Sequence, residues 1–211
     1  MPPLPSALRS AAVLLLGAAC YGAAIGAGKN ATYVWRSAIK VPLLLLGTAA
    51  LCATCYHVMA RFLGAELRFV AVQRAALRLF RDTAAMLASL SPVALFLARS
   101  MEQPEGADLR GYPGFVVANM LFVALAGAVA LLQQLRALLR DTAMPRARAL
   151  AVSATWLLTS LLVGGQLAFW LRPFFGISSL TGAPPFLLGD QPTSTGARNF
   201  YEAAWQFVWG A

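Results

Sequence analysis

The stretch RSAIKVPLLLLGTAALCATCYH, residues 36–57, decides the fold class of this chain. Residues 41–59 contain no acidic or basic side chain other than His57. As a helix with a rise of 1.5 Å per residue, this segment is about 28 Å long, close to the thickness of the hydrocarbon layer of a bilayer. The stretch therefore predicts a transmembrane helix that begins beside Lys40 and Pro42 and ends near His57.

Composition places the rest of the chain in the membrane as well. Hydrophobic residues make up 59% of the 211 residues and charged residues 12%, with a mean hydropathy of +0.67. Soluble domains carry about 25% charged residues, and a chain this apolar would expose large apolar patches in water. We expect an all-α membrane bundle of five transmembrane helices with additional interfacial helices. The predicted spans cover residues 11–28, 41–59, 83–98, 114–135 and 150–171.

The first predicted span has a second interpretation as a signal peptide, because a short basic start with Arg9 precedes an apolar core. Cys20 suggests a lipoprotein cleavage site, although Gly17 stands three residues before it, where a large aliphatic residue is usual. Small residues continue at a spacing of four, which is typical of close helix packing in membranes. We therefore favour a retained helix, with a packing face made by Ala18, Gly22 and Gly26.

A strongly basic segment connects the second and third spans. At 100° per residue its arginines fall on one side, and its apolar residues, such as Phe69, Val72 and Leu79, on the other. This pattern predicts an amphipathic helix that lies in the membrane interface and runs into the third span. Because the basic residues of the chain stand singly beside apolar runs, anionic lipid is a better partner than nucleic acid. The arginines expected to contact lipid are Arg68, Arg74, Arg78 and Arg81.

The distribution of basic residues predicts the orientation of the chain. With five spans, ten of the 17 lysines and arginines lie on the side of the N-terminus and seven on the other side. The positive-inside rule then places the N-terminus in the cytoplasm and the C-terminus in the periplasm of a bacterial inner membrane. Residues 172–211 are expected to form an extramembrane tail with a short aromatic helix, in which Tyr201, Ala204, Trp205 and Val208 recur at helical spacing.

Few residues suggest chemistry. Cys52 and Cys55 form a C-x-x-C pair, which exchanges disulfides in redox proteins, so a membrane thiol-redox protein is one alternative. Only Cys20 remains for an electron relay, and a cysteine within a span usually packs as a small apolar residue. His57 is the only histidine, and the sequence has no cysteine and histidine cluster with zinc-site spacing. We expect no metal, no cofactor and no enzymatic activity.

Two amides, Asn119 and Gln166, lie away from the ends of predicted spans. Asn119 and Gln166 either bond across helices or line a pore, which leaves a small oligomeric channel or permease as a second alternative. Ion-coupled carriers usually have ionisable residues in mid-membrane, and five spans do not divide into two matching halves. Ser160 and Gly164 form a second small-residue face beside Gln166.

Several short motifs carry a family resemblance. Residues 38–46, AIKVPLLLL, are similar to the start of a span in short bacterial multi-pass membrane proteins that have no assigned activity. Residues 90–92 (LSP), 171–174 (LRPF) and 199–203 (NFYEA) are similar to further segments of such proteins. The five-span layout with a cytoplasmic N-terminus also resembles the Yip-type membrane proteins, whose eukaryotic members are linked to Rab GTPases and vesicle traffic. This chain has no sizeable cytosolic region before its first span, so the resemblance implies the layout without a GTPase-binding role or catalytic residues.

The sequence favours a non-enzymatic inner-membrane protein that acts as a scaffold or as an accessory subunit of a membrane complex. The small-residue faces of the first and fifth spans would contact other subunits or a second copy of the chain. The basic helix would contact anionic lipid or a cytoplasmic partner, and the aromatic tail would contact a partner or the outer interface.

Overall fold

A computed structural model describes residues 6–28, 31–100, 112–141, 144–174, 186–187 and 196–209. Within these residues, five helices are long and apolar enough to cross a membrane. This architecture confirms the expected all-α membrane bundle. The helices are α1 (Ser6–Gly26), α2 (Ala31–Phe62), α3 (Phe69–Ser100), α4 (Tyr112–Asp141), α5 (Arg146–Leu171) and the short α6 (Phe200–Trp209).

The helices extend beyond the predicted spans. α2 and α3 have 32 residues each, which gives a length of about 48 Å against about 30 Å for the hydrocarbon layer. α2 begins at Ala31 rather than near residue 41. Hydropathy marks the apolar part of a helix, and the helix continues beyond that part. Pro42 and Pro92 lie inside α2 and α3 without ending them. The basic segment expected in the interface is the first part of α3, with no break before the third span.

The bundle is organised around α1. This helix packs against both α2 and α3, and these are the most extensive helix contacts in the structure. α2 also contacts α5, α3 contacts α4, and α4 and α5 contact each other more lightly. On α1, Leu14, Ala18 and Tyr21 face the core, whereas Leu15 and Leu16 face outward. We call the end of the bundle with the α2–α3 and α4–α5 turns the inner end, and the opposite end the outer end.

Glycines let the backbone of α1 approach its neighbours closely. A Cβ atom added to Gly22 would lie closer than 3.0 Å to the carbonyl oxygen of Ser37 on α2. A Cβ atom added to Gly26 would lie equally close to the carbonyl oxygen of Tyr33, one turn earlier on α2. Gly17 makes a similar approach to α3. Since backbone atoms cannot move aside as a flexible side chain can, these positions accept no side chain in the present packing.

A glycine turn ends α2 at the inner end. Gly64 has a φ of +72°, a conformation that glycine adopts without strain. The amide of Ala65 donates to Ala60 O at 2.8 Å and the amide of Gly64 donates to Arg61 O at 2.9 Å, which is the Schellman pattern of helix termination. Nη1 of Arg148, on α5, donates to Gly64 O at 3.1 Å and so ties the start of α5 to the end of α2.

Gly22→Ala is expected to lower the free energy of unfolding by about 1–3 kcal/mol, because the added methyl group overpacks against the α2 backbone. Gly127→Ala on α4 is the matched control, since nothing lies within 4 Å of the position that its methyl group would take. Loss of the monodisperse size-exclusion peak during heating in mild detergent measures both variants. Equal transition midpoints for the two variants would contradict the close approach of α1 to α2.

Candidate functional site

A row of hydrogen-bonded side chains, which we call the polar seam, joins α2 to α5. It consists of Cys52, Tyr56, Trp156 and Ser160. Tyr56 and Trp156 are fully buried, and their rings stack with centroids 4.8 Å apart. The Tyr56 hydroxyl is hydrogen-bonded to Ser160, whose Oγ donates to Trp156 O at 2.8 Å. In the other direction, Nε1 of Trp156 donates to Tyr56 O at 3.2 Å. Ser160, predicted as a packing residue, therefore lies in the contact between two helices of this chain.

The seam continues towards the outer end and includes one of the two candidate redox cysteines. A Cβ atom on Gly164 would lie 3.5 Å from the Thr48 side chain, which is ordinary van der Waals contact. Cys52 is fully buried, and its Sγ donates to Thr159 O at 3.7 Å. Cys55 is exposed, and both thiols are free. A reactive C-x-x-C pair needs accessible thiols, so the geometry favours a packing role for Cys52.

Both amides predicted as pore-lining or interhelical residues have partners within the chain. The Tyr21 hydroxyl of α1 donates to Oδ1 of Asn119 at 2.7 Å, and Nδ2 of Asn119 donates to Phe115 O at 2.7 Å. Oε1 of Gln166 accepts a hydrogen bond of 3.3 Å from the backbone amide of Phe200, at the start of α6. Each amide therefore connects two helices of the bundle.

The small-residue faces that were expected to bind other subunits lie within the bundle. On α1, Ala18 is fully buried, and Gly22 and Gly26 are covered by the backbone of α2. On α5, Ser160 and Gly164 face α2. A four-residue spacing on one helix does not identify the partner of its small-residue face, and here that partner is the same chain.

A buried lysine at the outer end of α2 was not predicted from the sequence. Lys40 is fully buried, and its Nζ donates to Pro173 O at 2.7 Å. One turn earlier, the buried Ser37 donates through Oγ to Phe174 O at 2.6 Å. These two bonds fasten the chain just after α5 across the start of α2. Two sequence features could have indicated this contact: Lys40 stands beside an apolar run, and an RPF motif follows the fifth span.

Aromatic rings cover Lys40. Its Nζ lies 5.0 Å from the centroid of the Phe186 ring and 5.9 Å from that of Phe174, distances at which an ammonium is attracted to the ring. Phe186 also stacks on Trp35 of α2, with centroids 6.1 Å apart. Carbonyl oxygen and aromatic rings thus solvate the buried cation, in place of water.

Arg172 is the C-cap residue of α5. Its guanidinium lies 3.5 Å above the centroid of the Phe169 ring, and its Nε donates to Phe169 O at 2.8 Å. Burial lowers the pKa of the Arg172 guanidinium from its ordinary value. A cation at this position also interacts favourably with the unpaired carbonyls at a helix C-terminus.

The arginines predicted to bind lipid divide into two groups. Arg68, Arg74 and Arg78 are exposed. Arg81 is partly buried and forms an ion pair with Asp82, with 2.6 Å between Nη2 and Oδ1. Nη1 of Arg81 also lies 3.5 Å from Oγ of Ser10 on α1. Three arginines are thus free to meet lipid phosphates, while Arg81 holds α3 to α1.

His57 lies in an aromatic contact at the inner end. Its ring packs edge-on against Phe69 at the start of α3, with centroids 5.3 Å apart. Among the residues that the structure describes, no group of three or more His, Cys, Asp or Glu side chains is placed to hold a metal ion. His57 therefore contributes to the packing of α2 against α3.

Comparison with protein-family models, with curated proteins and with solved structures found no match. The resemblance to short bacterial multi-pass membrane proteins and to the Yip-type proteins stays a prediction. The contacts between helices and the distribution of exposed charge are therefore the features that bear on function.

Asn119→Leu is expected to lower the free energy of unfolding by about 1 kcal/mol, because it leaves the Tyr21 hydroxyl without its acceptor. Tyr21→Phe removes the other partner, so the double variant should lose less than the sum of the two single losses. Gln133→Leu, at an exposed position on α4, is the control and should leave stability unchanged. Unfolding in mixed micelles measures all four variants, and strictly additive losses would contradict the Tyr21–Asn119 bond.

Proposed function

We propose that this chain is a non-enzymatic, multi-pass inner-membrane protein that acts as a structural subunit and gathers anionic lipid at its inner end. One observation carries the proposal: three polar contacts inside the spans join different helices of the same chain. Tyr21 bonds to Asn119, Tyr56 bonds to Ser160, and Gln166 bonds to the start of α6. Side chains engaged in this way stabilise one arrangement of helices, as a scaffold requires.

The charge of the inner end supports the lipid part of the proposal. By its position in the chain, this end holds ten arginines and three acidic residues, whereas the outer end holds seven basic and five acidic residues. At the same end of the bundle, the rings of Phe62 and Phe69 are 89% and 42% exposed. Exposed aromatic rings beside arginines suit the boundary between anionic headgroups and acyl chains.

The exposed faces of α4 and α5 support the subunit part of the proposal. Only 22% and 17% of their span residues are buried inside the chain, against 44% for α1. Because the small-residue face of α1 is already covered, helices of other subunits would pack on α4 and α5. The leucines exposed there include Leu121, Leu125, Leu132, Leu157, Leu158, Leu161 and Leu162.

Replacing Arg74 and Arg78 with glutamine tests the lipid contact. Each arginine near an anionic surface contributes about 1 kcal/mol, so the double variant should retain at least about tenfold less phosphatidylglycerol than the wild type. Native mass spectrometry after purification in mild detergent measures the lipid bound per chain. Arg99→Gln, exposed at the outer end, is the control and should retain the wild-type amount. Equal retention by all three proteins would refute the lipid contact.

The release of ions and small solutes from liposomes that contain the purified chain tests the structural role. Liposomes that contain the wild-type chain should release ions and small solutes no faster than liposomes without protein. If flux is present, and falls in Asn119→Leu or Gln166→Leu, the chain is a channel and the scaffold proposal is wrong.

A further inference from the structure

α6 is attached to α5 well inside the predicted fifth span. The backbone amide of Phe200 donates to Oε1 of Gln166 at 3.3 Å, and the Tyr201 hydroxyl donates to Leu162 O at 2.5 Å. The Phe200 ring covers Gly165, where an added Cβ atom would lie 2.6 Å from it. α5 continues for five to nine residues beyond these contacts, which places the start of α6 about 8–14 Å inward from the end of α5.

Lys40 and Arg172 flank the predicted second and fifth spans at the outer end. Lys40 on α2 contacts Pro173, directly after Arg172 at the end of α5, so both helices reach the outer boundary at the same level. Deeper in the bundle, Gly164 faces Thr48, which is eight residues beyond Lys40 on α2. The attachment of α6 therefore lies about 12 Å below this boundary, in agreement with the depth measured along α5.

The start of α6 is polar despite this depth. Residues 196–199 are not helical. Oδ1 of Asn199 accepts a bond of 2.8 Å from the Glu202 amide, and Oε2 of Glu202 accepts one of 2.9 Å from the Arg198 amide, as in a capping box. The side chains of Arg198 and Glu202 are exposed. Exposed charges and non-helical backbone are unstable in contact with hydrocarbon, and are tolerated at this depth beside protein or water.

We propose that a water-filled notch opens at the outer end where α6 meets α5, and that α6 is a re-entrant helix of the outer leaflet. Water in the notch solvates Arg198 and Glu202. Trp205 and Trp209, which are 67% and 70% exposed, contact lipid of the outer leaflet. The partner of this surface is outer-leaflet lipid, and α6 belongs to the membrane domain. The proposal rests on the membrane topology of the proposed function.

Single-cysteine labelling of spheroplasts with a membrane-impermeant maleimide tests the notch. Leu161, 57% exposed on α5, lies at about the depth of Tyr201, and Leu187, 48% exposed, lies in the segment after α5. These positions provide a lipid-facing control and a water-facing control. In a chain whose native cysteines are replaced by serine, the three variants are Arg198→Cys, Leu161→Cys and Leu187→Cys.

Arg198→Cys should react within about twofold of the rate of Leu187→Cys, and Leu161→Cys should react at least about tenfold more slowly. If Arg198→Cys reacts as slowly as Leu161→Cys, the proposal of a water-filled notch is wrong. Fast reaction of Leu161→Cys overturns the re-entry, because α5 would then stand outside the lipid at that level. If Leu187→Cys reacts only from the cytoplasmic side, the proposed orientation is wrong. The three labelling rates measured in inverted vesicles then show whether the notch exists.

Misfolding of the serine background does not prevent the test. In that case, the three variants are made in the native chain and the labelled peptides are quantified by mass spectrometry. Cys20, which is exposed near the middle of the first predicted span, then supplies an internal reference for lipid-facing thiols. Arg198→Cys peptides labelled no faster than this reference would overturn the notch.

Discussion

The contact between Gly22 of α1 and the backbone of α2 is the constraint on which the rest of the bundle depends. The carbonyl of Ser37 occupies the space that a side chain at Gly22 would need. The hydroxyl of the same serine binds the Phe174 carbonyl, and Lys40, one turn along, binds the neighbouring Pro173 carbonyl. The outer ends of α1, α2 and α5 are thus joined within a single turn of α2.

The chemistry of the bilayer explains why small and polar residues make these contacts. Lipid tails are as apolar as leucine, so burial of leucine does not drive helices together, and close backbone packing and hydrogen bonds must do so. Each such bond contributes about 0.6 kcal/mol on average in a membrane protein, so the arrangement depends on several of them acting together. The seam of Cys52, Tyr56, Trp156 and Ser160 and the Tyr21–Asn119 bond are of this kind.

Local composition predicts the five helices, because the length and apolarity of a span are properties of neighbouring residues. The contacts between the spans are not local. Lys40 and Pro173 are 133 positions apart, and Tyr21 and Asn119 are 98 apart. Asn119 and Gln166 could be recognised as polar residues within spans, but their partners depend on how the helices pack. For the same reason, Cys52 and Cys55 form a pair in the sequence, although the helix buries one and exposes the other.

Intact-mass spectrometry of the chain purified from membranes tests most directly the claim that the bundle is built on α1. α1 supplies fully buried core residues, such as Leu14 and Ala18, and carries glycines at which an added Cβ atom would clash with the backbone of α2 or α3. We expect the folded, monodisperse protein to retain residues 6–26. A mass that begins at Cys20 or after Gly28, in a chain that still forms a monodisperse bundle, would contradict it.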